Sequence, residues 1–409
     1  MALLCEADVS RRAVLGAAGA LFAWSFMPRF ALAGSRDMRL VCIVLRGALD
    51  GLSAVPPVGD PSYAKLREEI ALGLDGPQPA LPLDGFFALH PAMPNFARLS
   101  RSGQALVVHA VATAYRERSH FDGQDVLESG QPGPGRVESG WLNRLLGALP
   151  VGERIAAKGA LGVGAVAPLI VRGSAPVFGW APPLLPPLSQ QGGAGLMDRV
   201  LDLYRERDPL LAEALARGLE TERIATRAVS PMRDGRGGIA AMQRVAEGAA
   251  RLIAAEEGPR IGALAFDGWD THAREGAATG QLALLLGGLD TALAAFEIEL
   301  GARWKDTVVL VITEFGRTAQ VNGSAGTDHG TGTIVLLAGG AVRGGRVLAD
   351  WPGLEPRDLY EGRDLKPTTD LRAVAKGLMA DLFGVSPVVL AKTVFPESAG
   401  IAPFKDLVV

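Results

Sequence analysis

Three of the five histidines in the chain stand beside groups that bind metals or move protons. The segments are Ser119-His120, Asp270-Thr271-His272 and Asp328-His329. Imidazole nitrogens combined with carboxylate oxygens suit Zn²⁺, Mn²⁺ or Fe better than Ca²⁺, which prefers an all-oxygen cage. Two further carboxylates, Asp50 and Glu314, lie just after strongly apolar runs. The pattern indicates a metal centre, and two clustered metals would hold the attacking and leaving oxygens of a phosphoryl or sulfuryl transfer.

Each of these residues also has an ordinary structural explanation. Asp and His are frequent in turns and at helix N-termini, so a single pair carries little information. Ser119 fits the N-cap of a helix with Asp122 in its first turn, and it fits equally well a nucleophile helped by the helix dipole. His120 could orient a ligand or act as an acid and base. Four strand-end loops that all present ligand-type residues favour the metal hypothesis.

Arginines within the same segments could bind the anionic group of a substrate. Arg116, Arg118 and Arg317 are the candidates. A guanidinium matches phosphate and sulfate geometry through paired hydrogen bonds, which supports this role. Charged loop residues are also often simply solvated, so both interpretations stay open. The remaining histidines, His90 before a proline and His109 within an apolar run, are expected to be structural.

The elements that must position these groups follow from hydrophobic patterning. Six apolar stretches predict strands: Arg39–Leu45, Gln104–Ala110, Gly159–Val171, Ile261–Phe266, Thr307–Thr313 and Thr333–Ala338. Helices are predicted at Ala92–Ser102, after Tyr115, across most of 195–257, and at Glu275–Leu300. This alternation predicts a three-layer αβα sandwich with a mainly parallel central sheet. The candidate residues follow strands, where α/β enzymes place their active sites.

The N-terminus has the pattern of a twin-arginine export signal. Ser10-Arg11-Arg12 precedes an apolar run that extends to Met27, and Ala31-Leu32-Ala33 offers small residues for cleavage. The run is only about 15 residues long and rich in Ala and Gly, which is short for a membrane span. A retained anchor is the alternative. We expect residues 1–33 to be removed and residues 34–409 to form one domain with a helical insertion at about 195–257.

Export has consequences for location and partners. The mature protein is expected in the periplasm or outside the cell, after handling by the twin-arginine export machinery and with no stable membrane anchor. Cleavage would leave Cys42 as the sole cysteine, so no intramolecular disulfide could form. The net charge of −3 provides no basic field for nucleic acid. A redox enzyme is disfavoured, because no G-x-G-x-x-G follows the first strand and no cysteine cluster is present.

Six segments of the chain resemble the DUF1501 family, a group of exported bacterial proteins. They run in order along almost the whole mature chain and comprise Leu45–Gly51, Arg118–Asp125, Gly140–Arg144, Gly268–His272, Thr313–Thr318 and Gly326–Gly330. More distantly, the layout resembles the alkaline phosphatase and sulfatase superfamily, in which a D-x-x-x-H loop, a long helix and a strand ending in T-A-D-H-G occur in succession. That resemblance implies an alkaline phosphatase-like fold and a metal-dependent hydrolase.

The chain departs from the superfamily pattern in two places. The first pair is spaced D-x-H from Asp270, and Glu314 follows the strong strand where the superfamily has Asp-His. Either Asp328-His329 is that pair displaced by an insertion, or Glu314 takes its place and His329 is the last ligand. The order of the strands favours the second alternative. By order Ser119 resembles the superfamily nucleophile, although the sulfatase motif C/S-x-P-x-R is absent.

These observations predict an exported metal-dependent hydrolase of phosphate or sulfate esters that acts on a small anionic or polymeric substrate. The expected metal ligands are Asp50, Asp270, His272, Glu314, Asp328 and His329. The expected catalytic residues are Ser119 and His120, and the expected substrate-binding residues are Arg116, Arg118 and Arg317. The metal would be Zn²⁺, with Mn²⁺ or Fe as alternatives. Because neither version supplies every ligand of a two-metal site, one metal or none is the alternative to a two-metal centre. The competing hypothesis is a non-catalytic exported binding protein that uses the same fold with a degenerate metal site.

Overall fold

The computed structural model describes residues 36–149, 159–164, 166–181, 196–208, 211–212, 215–216 and 239–409. The predicted export signal at residues 1–33 lies outside these ranges. So do residues 217–238 of the predicted helical insertion.

Nine strands of the described chain form one sheet, and two short strands form a separate pair. In chain order the strands are β1 Arg39–Arg46, β2 Leu81–Pro82, β3 Ala88–Leu89, β4 Ala105–Ala112, β5 Ala160–Val163, β6 Val177–Trp180, β7 Ile261–Asp267, β8 Thr307–Thr313, β9 Thr333–Ala338, β10 Arg346–Leu348 and β11 Thr369–Asp370. The order in the sheet is β10-β4-β9-β8-β1-β7-β5-β6, with β11 also paired to β4. Only β9 runs antiparallel to its neighbours, so the predicted mainly parallel sheet is confirmed.

Helices cover both faces of this sheet. In chain order they are α1 Gly51–Ala54, α2 Tyr63–Arg67, α3 Pro94–Arg101, α4 His120–Ser129, α5 Trp141–Ala148, α6 Leu196–Arg207, α7 Ile239–Ala254, α8 Gln281–Leu300, α9 Leu371–Phe383 and α10 Pro387–Val389. Along β1, Val41 and Ile43 belong to the core that contains α3, α7 and α8, whereas Leu40 and Cys42 belong to the core that contains α5 and α9. Burial on both faces explains the continuous apolar strands. The predicted three-layer αβα sandwich is confirmed.

The long helix α8 begins later than the sequence predicted. Gly276 and Gly280 adopt φ angles of +84° and +125°, which are not helical, and they leave Glu275 as a buried loop residue. With the turn that follows it, Gln281–Asp306 is apolar enough to cross a membrane, at a mean hydropathy of 1.4. However, 56% of that window is buried within the described chain, where α8 packs as a core helix.

The end of the predicted helical insertion belongs to a helical layer of the sandwich. Ala246, Ala249, Ala250 and Ile253 of α7 are fully buried in the core that also contains α8. Their spacing of three to four residues places them on one face of the helix. Within this region the described helices are α6 Leu196–Arg207 and α7 Ile239–Ala254.

The loops after β1 and β7 approach so closely that one position requires glycine. Gly47, directly after β1, has a φ of +119°, and a Cβ there would lie 2.6 Å from the backbone nitrogen of Asp270. The Trp269 N–H donates to the carbonyl of Arg46 at 3.2 Å, which joins the two loops. This contact fixes Asp270 at the carboxyl edge of the sheet.

Replacing Gly47 with alanine is expected to lower the free energy of unfolding by about 3 kcal/mol, because backbone strain and overpacking add. Gly76 is the matched control, since its φ is +104° but a Cβ there would meet nothing within 4 Å. Alanine at Gly76 is expected to cost only about 1 kcal/mol. Urea unfolding of both variants measures the difference. Equal losses would show that the contact with the Asp270 loop is not what requires glycine.

Candidate metal centre

Four side chains from separate parts of the chain meet at the carboxyl edge of the sheet. They are His120 at the start of α4, Asp270 and His272 after β7, and His329 between β8 and β9. Asp270 Oδ1 lies 3.0 Å from His272 Nε2 and 3.3 Å from His329 Nε2. Asp270 Oδ2 lies 3.5 Å from His120 Nε2. Ligand atoms of His120, Asp270 and His329 all lie within 4.8 Å of one another, which makes them a group able to hold a metal ion.

The second ring nitrogen of each histidine faces an oxygen acceptor outside this group. His120 Nδ1 lies 2.9 Å from Glu314 Oε1. His272 Nδ1 lies 3.2 Å from Asp328 Oδ1, and His329 Nδ1 lies 2.9 Å from the backbone oxygen of Arg118. Ionised carboxylates and carbonyls only accept hydrogen bonds, so each Nδ1 carries a proton that it donates. In the neutral ring this assignment leaves the Nε2 lone pair directed at the centre.

A metal ion or one further proton between the rings would relieve the repulsion in this arrangement. His272 Nε2 and His329 Nε2 are 3.0 Å apart, and two lone pairs at that distance repel each other. His120 Nε2 is buried and has no hydrogen-bond partner. Imidazoles that bind a metal through one nitrogen commonly donate the other N–H to a carboxylate or a carbonyl. Three nitrogens and one carboxylate fit Zn²⁺, Mn²⁺ or Fe.

Arg317 holds the carboxylate of this group and the loops around it. Its buried guanidinium contacts Asp270 Oδ1, and it donates to the backbone oxygens of Gly47, Ala48, Trp269 and Thr327. Burial works against ionisation of Asp270, but the charge and hydrogen bond of Arg317 together with the nearby His272 and His120 outweigh it and lower the pKa of Asp270. These acceptors occupy the guanidinium, so the structure places Arg317 as a positioning residue and not as the expected substrate-binding group.

Glu314 contacts His120 at Nδ1, on the side of the ring away from Asp270. Oε1 accepts hydrogen bonds from Gly47 N at 2.8 Å and Gln124 Nε2 at 3.2 Å as well as from His120, while Oε2 accepts from Thr313 Oγ1 at 2.9 Å. Burial would raise the pKa of Glu314, but these hydrogen bonds lower it, and the bond to Glu314 raises the pKa of His120. The structure therefore places Glu314 as the orienting partner of a ligand, where the sequence predicted a ligand.

Asp328 plays the corresponding role for His272 at the surface. Its Oδ1 also accepts a hydrogen bond from Asn322 Nδ2 at 3.1 Å, and the same amide donates to the backbone oxygen of His272 at 2.9 Å. Asn322 thus fixes both partners. Asp328 was expected as a ligand, but its nearest contact with the centre runs through the His272 ring.

The segment before α4 contributes a backbone group to the centre. Arg118 has a φ of +59°, a region that non-glycine residues rarely adopt, and its carbonyl orients His329. The Arg118 guanidinium donates from Nε to Asp364 Oδ2 at 2.9 Å, and it also pairs with Glu361. The Arg116 guanidinium donates to the carbonyls of Thr113 and Tyr115. The guanidinium groups of Arg116 and Arg118 therefore contact protein acceptors, where the sequence predicted contact with a substrate anion.

Ser119 and Asp50 are both N-cap residues of helices, but only the Asp50 side chain makes a capping hydrogen bond. Ser119 is the N-cap residue of α4, but its hydroxyl makes no capping hydrogen bond. Asp50 is the N-cap residue of α1, where its carboxylate accepts from Ser53 N at 3.0 Å and pairs with Arg67. Because Asp50 is occupied by these partners, the structure does not bring it into the group around Asp270.

The chain matches the model of one known protein family. The model of the family described as "Protein of unknown function (DUF1501)" matches residues 37–394. The chain belongs to the DUF1501 family. No curated protein matches it. Among solved structures, a complex of Ps i-CgsB with k-i-k-neocarrahexaose is similar at 12% identity and a TM-score of 0.38, covering 90% of this chain and 77% of that one. A phosphonate monoester hydrolase of Agrobacterium radiobacter is similar at 12% identity and a TM-score of 0.31, covering 84% and 73%. These scores are too low to carry weight for function.

The centre of this DUF1501 protein is open to solvent. The side chains of Asp270 and His272 are 42% and 45% exposed, so a molecule from solution can reach the converging atoms. Arg363 lies at the rim, where Nη2 donates to the His329 backbone oxygen at 2.7 Å and 41% of the side chain is exposed. Arg363 was not predicted as a site residue, because its contact with His329 joins two loops that are separate in the sequence.

Replacing Asp328 with alanine is expected to weaken Zn²⁺ binding by about 10- to 100-fold, the usual effect of removing the partner of a ligating histidine. His272 would lose the acceptor that fixes its ring. Competition with a chromophoric chelator measures the dissociation constant. The exposed residue Asp350 provides a control, since Asp350→Ala should leave Zn²⁺ binding unchanged. Unchanged binding by Asp328→Ala would contradict an orienting role.

Proposed function

We propose that this protein is an exported metal-dependent hydrolase of phosphate or sulfate esters. The convergence of three imidazole Nε2 atoms on the Asp270 carboxylate, with each Nδ1 held by an outer acceptor, carries the proposal. Zn²⁺ fits the donor set, and Mn²⁺ and Fe are the alternatives. The site is open to solvent, so water or an ester oxygen could join the four protein ligands as a fifth ligand.

The chemistry divides between the bound metal and the chain. A divalent metal at this position would act as a Lewis acid on an ester oxygen. His120, His272, His329 and Asp270 hold it, so His120 serves as a ligand in this proposal in place of the expected acid–base role. Arg317 keeps Asp270 ionised, and Glu314 fixes the tautomer of His120.

Ser119 is the proposed nucleophile. It directly precedes the ligand His120, and its hydroxyl is not committed to capping α4. The N-terminus of α4 favours developing negative charge on that oxygen. Ser119 Oγ would bond to phosphorus or sulfur as its proton passes to water and the bond to the leaving oxygen breaks, and that oxygen would take up a proton to leave as the alcohol. Water would then hydrolyse the seryl ester, which restores the Ser119 hydroxyl and releases phosphate or sulfate.

Arg363 is the proposed contact for the anionic group of the substrate. A guanidinium has five N–H donors, and the hydrogen bond to the His329 carbonyl uses one of them. Its Nη1 also lies 3.6 Å from Asp364 Oδ1, but the side chain is 41% exposed beside His329. By contrast, the Arg317 side chain is fully buried, that of Arg118 is 21% exposed, and Arg116 donates to two backbone carbonyls. Phe121, next to His120 and 89% exposed, is available to contact the uncharged part of a larger substrate.

Location outside the cytoplasm is part of the proposal and rests on the Ser10-Arg11-Arg12 segment. Twin-arginine export carries folded proteins, so a metal bound in the cytoplasm would be carried across with the chain. The substrate would then be a small anionic ester or a polymeric ester present outside the cytoplasm.

The function is tested by the metal content and turnover of wild type, His272→Ala and Ser119→Ala. Wild type should hold one metal per chain and hydrolyse at least one of an aryl phosphate, an aryl phosphonate and an aryl sulfate. His272→Ala should lose metal and at least about a hundredfold in kcat/KM. Ser119→Ala should keep the metal but lose about a thousandfold in kcat. Stoichiometric metal without turnover of any such ester would favour the non-catalytic binding protein.

Replacing Arg363 with alanine is expected to raise KM about tenfold, because one charge-assisted hydrogen bond contributes about 1.5–3 kcal/mol. The metal content should not change. Arg357→Ala is the matched control, since that arginine is 79% exposed and pairs with Glu355. An unchanged KM for Arg363→Ala would remove Arg363 from the substrate site.

A further inference from the structure

A cluster of three charged side chains is buried next to the loops that carry the metal ligands. Asp50, Arg67 and Glu275 are exposed by 1%, 0% and 0%. Arg67 Nη2 contacts Asp50 Oδ2 and lies 3.7 Å from Glu275 Oε1. The proposed chemistry uses none of the three. Burying charged groups is costly, so their presence requires an explanation.

Two threonine hydroxyls connect this cluster to the ligand loops. Thr271 Oγ1 donates to Glu275 Oε2 at 3.1 Å, and Thr271 stands between the ligands Asp270 and His272. Thr327 Oγ1 lies 2.9 Å from the same Glu275 oxygen, and Thr327 comes two residues before His329. One carboxyl oxygen of Glu275 therefore connects the two loops that carry His272 and His329, whose Nε2 atoms face each other.

The geometry at Thr327 indicates that one of two neighbouring carboxyl groups carries a proton. Its hydroxyl also lies 3.2 Å from Asp50 Oδ2, so two carboxyl groups compete for one hydroxyl proton. A hydroxyl donates only one hydrogen bond, and the second contact is favourable only if one carboxyl group donates. Asp50 has Arg67 and Ser53 N as donors, whereas Glu275 Oε1 has no hydrogen-bond partner. Glu275 is the better site for the proton.

Charge within the cluster leads to the same assignment. Two ionised carboxylates against one guanidinium would leave a net negative charge without solvent. Burial, and then repulsion from Asp50, raise the pKa of Glu275 to about 8. Burial opposes ionisation of Asp50, but Arg67 outweighs it and lowers the pKa of that carboxyl group. Tyr63 faces the same groups, and burial raises its pKa to about 12, so it adds no charge near neutral pH.

We propose that Glu275, as a neutral carboxylic acid, is a positioning residue that holds the Asp270–His272 loop and the Thr327–His329 segment at the spacing the metal centre needs. This inference rests on the metal centre proposed above. It predicts that a neutral side chain with the same shape can replace Glu275, whereas the same chemical change at Asp50 would leave Arg67 without its charged partner.

The test compares Glu275→Gln, Glu275→Ala and Asp50→Asn in the full chain at pH 7. Zn²⁺ dissociation constants come from chelator competition, and the visible spectrum of the Co²⁺-substituted protein reports ligand geometry. Glu275→Gln should keep the Zn²⁺ affinity within about threefold and preserve the Co²⁺ spectrum. Glu275→Ala and Asp50→Asn should each weaken Zn²⁺ binding about tenfold or more and alter the spectrum, as expected when outer partners of ligands are lost.

Thr327 supplies a second pair of variants that is less disruptive than a change to a buried charge. Thr327→Val removes the hydroxyl at similar volume and should weaken Zn²⁺ binding about tenfold. Thr327→Ser keeps the hydroxyl and should bind Zn²⁺ with the affinity of wild type. Equal losses in Glu275→Gln and Glu275→Ala, or full affinity in Glu275→Ala, would overturn the role of Glu275 and leave the metal centre intact. Failure of wild type to bind Zn²⁺ or Co²⁺ would overturn the centre itself and this inference with it.

Discussion

The hydrogen bonds at the outer nitrogens of three histidines determine what the centre can bind. Glu314, Asp328 and the Arg118 carbonyl each accept from one Nδ1. An imidazole has two nitrogens, and its choice of tautomer follows the stronger acceptor. With all three protons drawn outward, three lone pairs point at one carboxylate. A bound metal or an additional proton would stabilise that arrangement, so the metal affinity that we propose depends on these outer bonds.

Arg317 connects the loops around this centre through hydrogen bonds to their backbone. A buried guanidinium is tolerated only when its donors are satisfied, and Arg317 meets this need with four backbone carbonyls and Asp270. Those carbonyls belong to the loop after β1, the loop after β7 and the segment before β9. Glycine at position 47 permits the close approach that Arg317 then secures. Parallel strands bring the loops to one edge, and these two features bring them into contact.

The sequence predicted the sandwich well because its strands are buried on both faces. Thr307–Thr313 is continuous and apolar, and it forms β8 within the bounds that were predicted. The three histidine segments could be selected from the sequence, since each joins ligand-type residues locally, and the structure brings their histidines together. The roles within them were not predictable, because a role depends on a partner far along the chain. Asp50 was expected to bind metal, but Arg67 from α2 pairs with it. Glu275 was expected in a helix, but Gly276 and Gly280 delay that helix and leave Glu275 in the buried cluster.

X-ray absorption at the metal edge of protein loaded with a single equivalent of Zn²⁺ tests the proposed centre most directly. We expect one tightly bound ion per chain, with scattering from three imidazole rings and at least one oxygen ligand at about 2.0 Å. A bound ion surrounded only by oxygen, or the absence of a tightly bound ion, would contradict it.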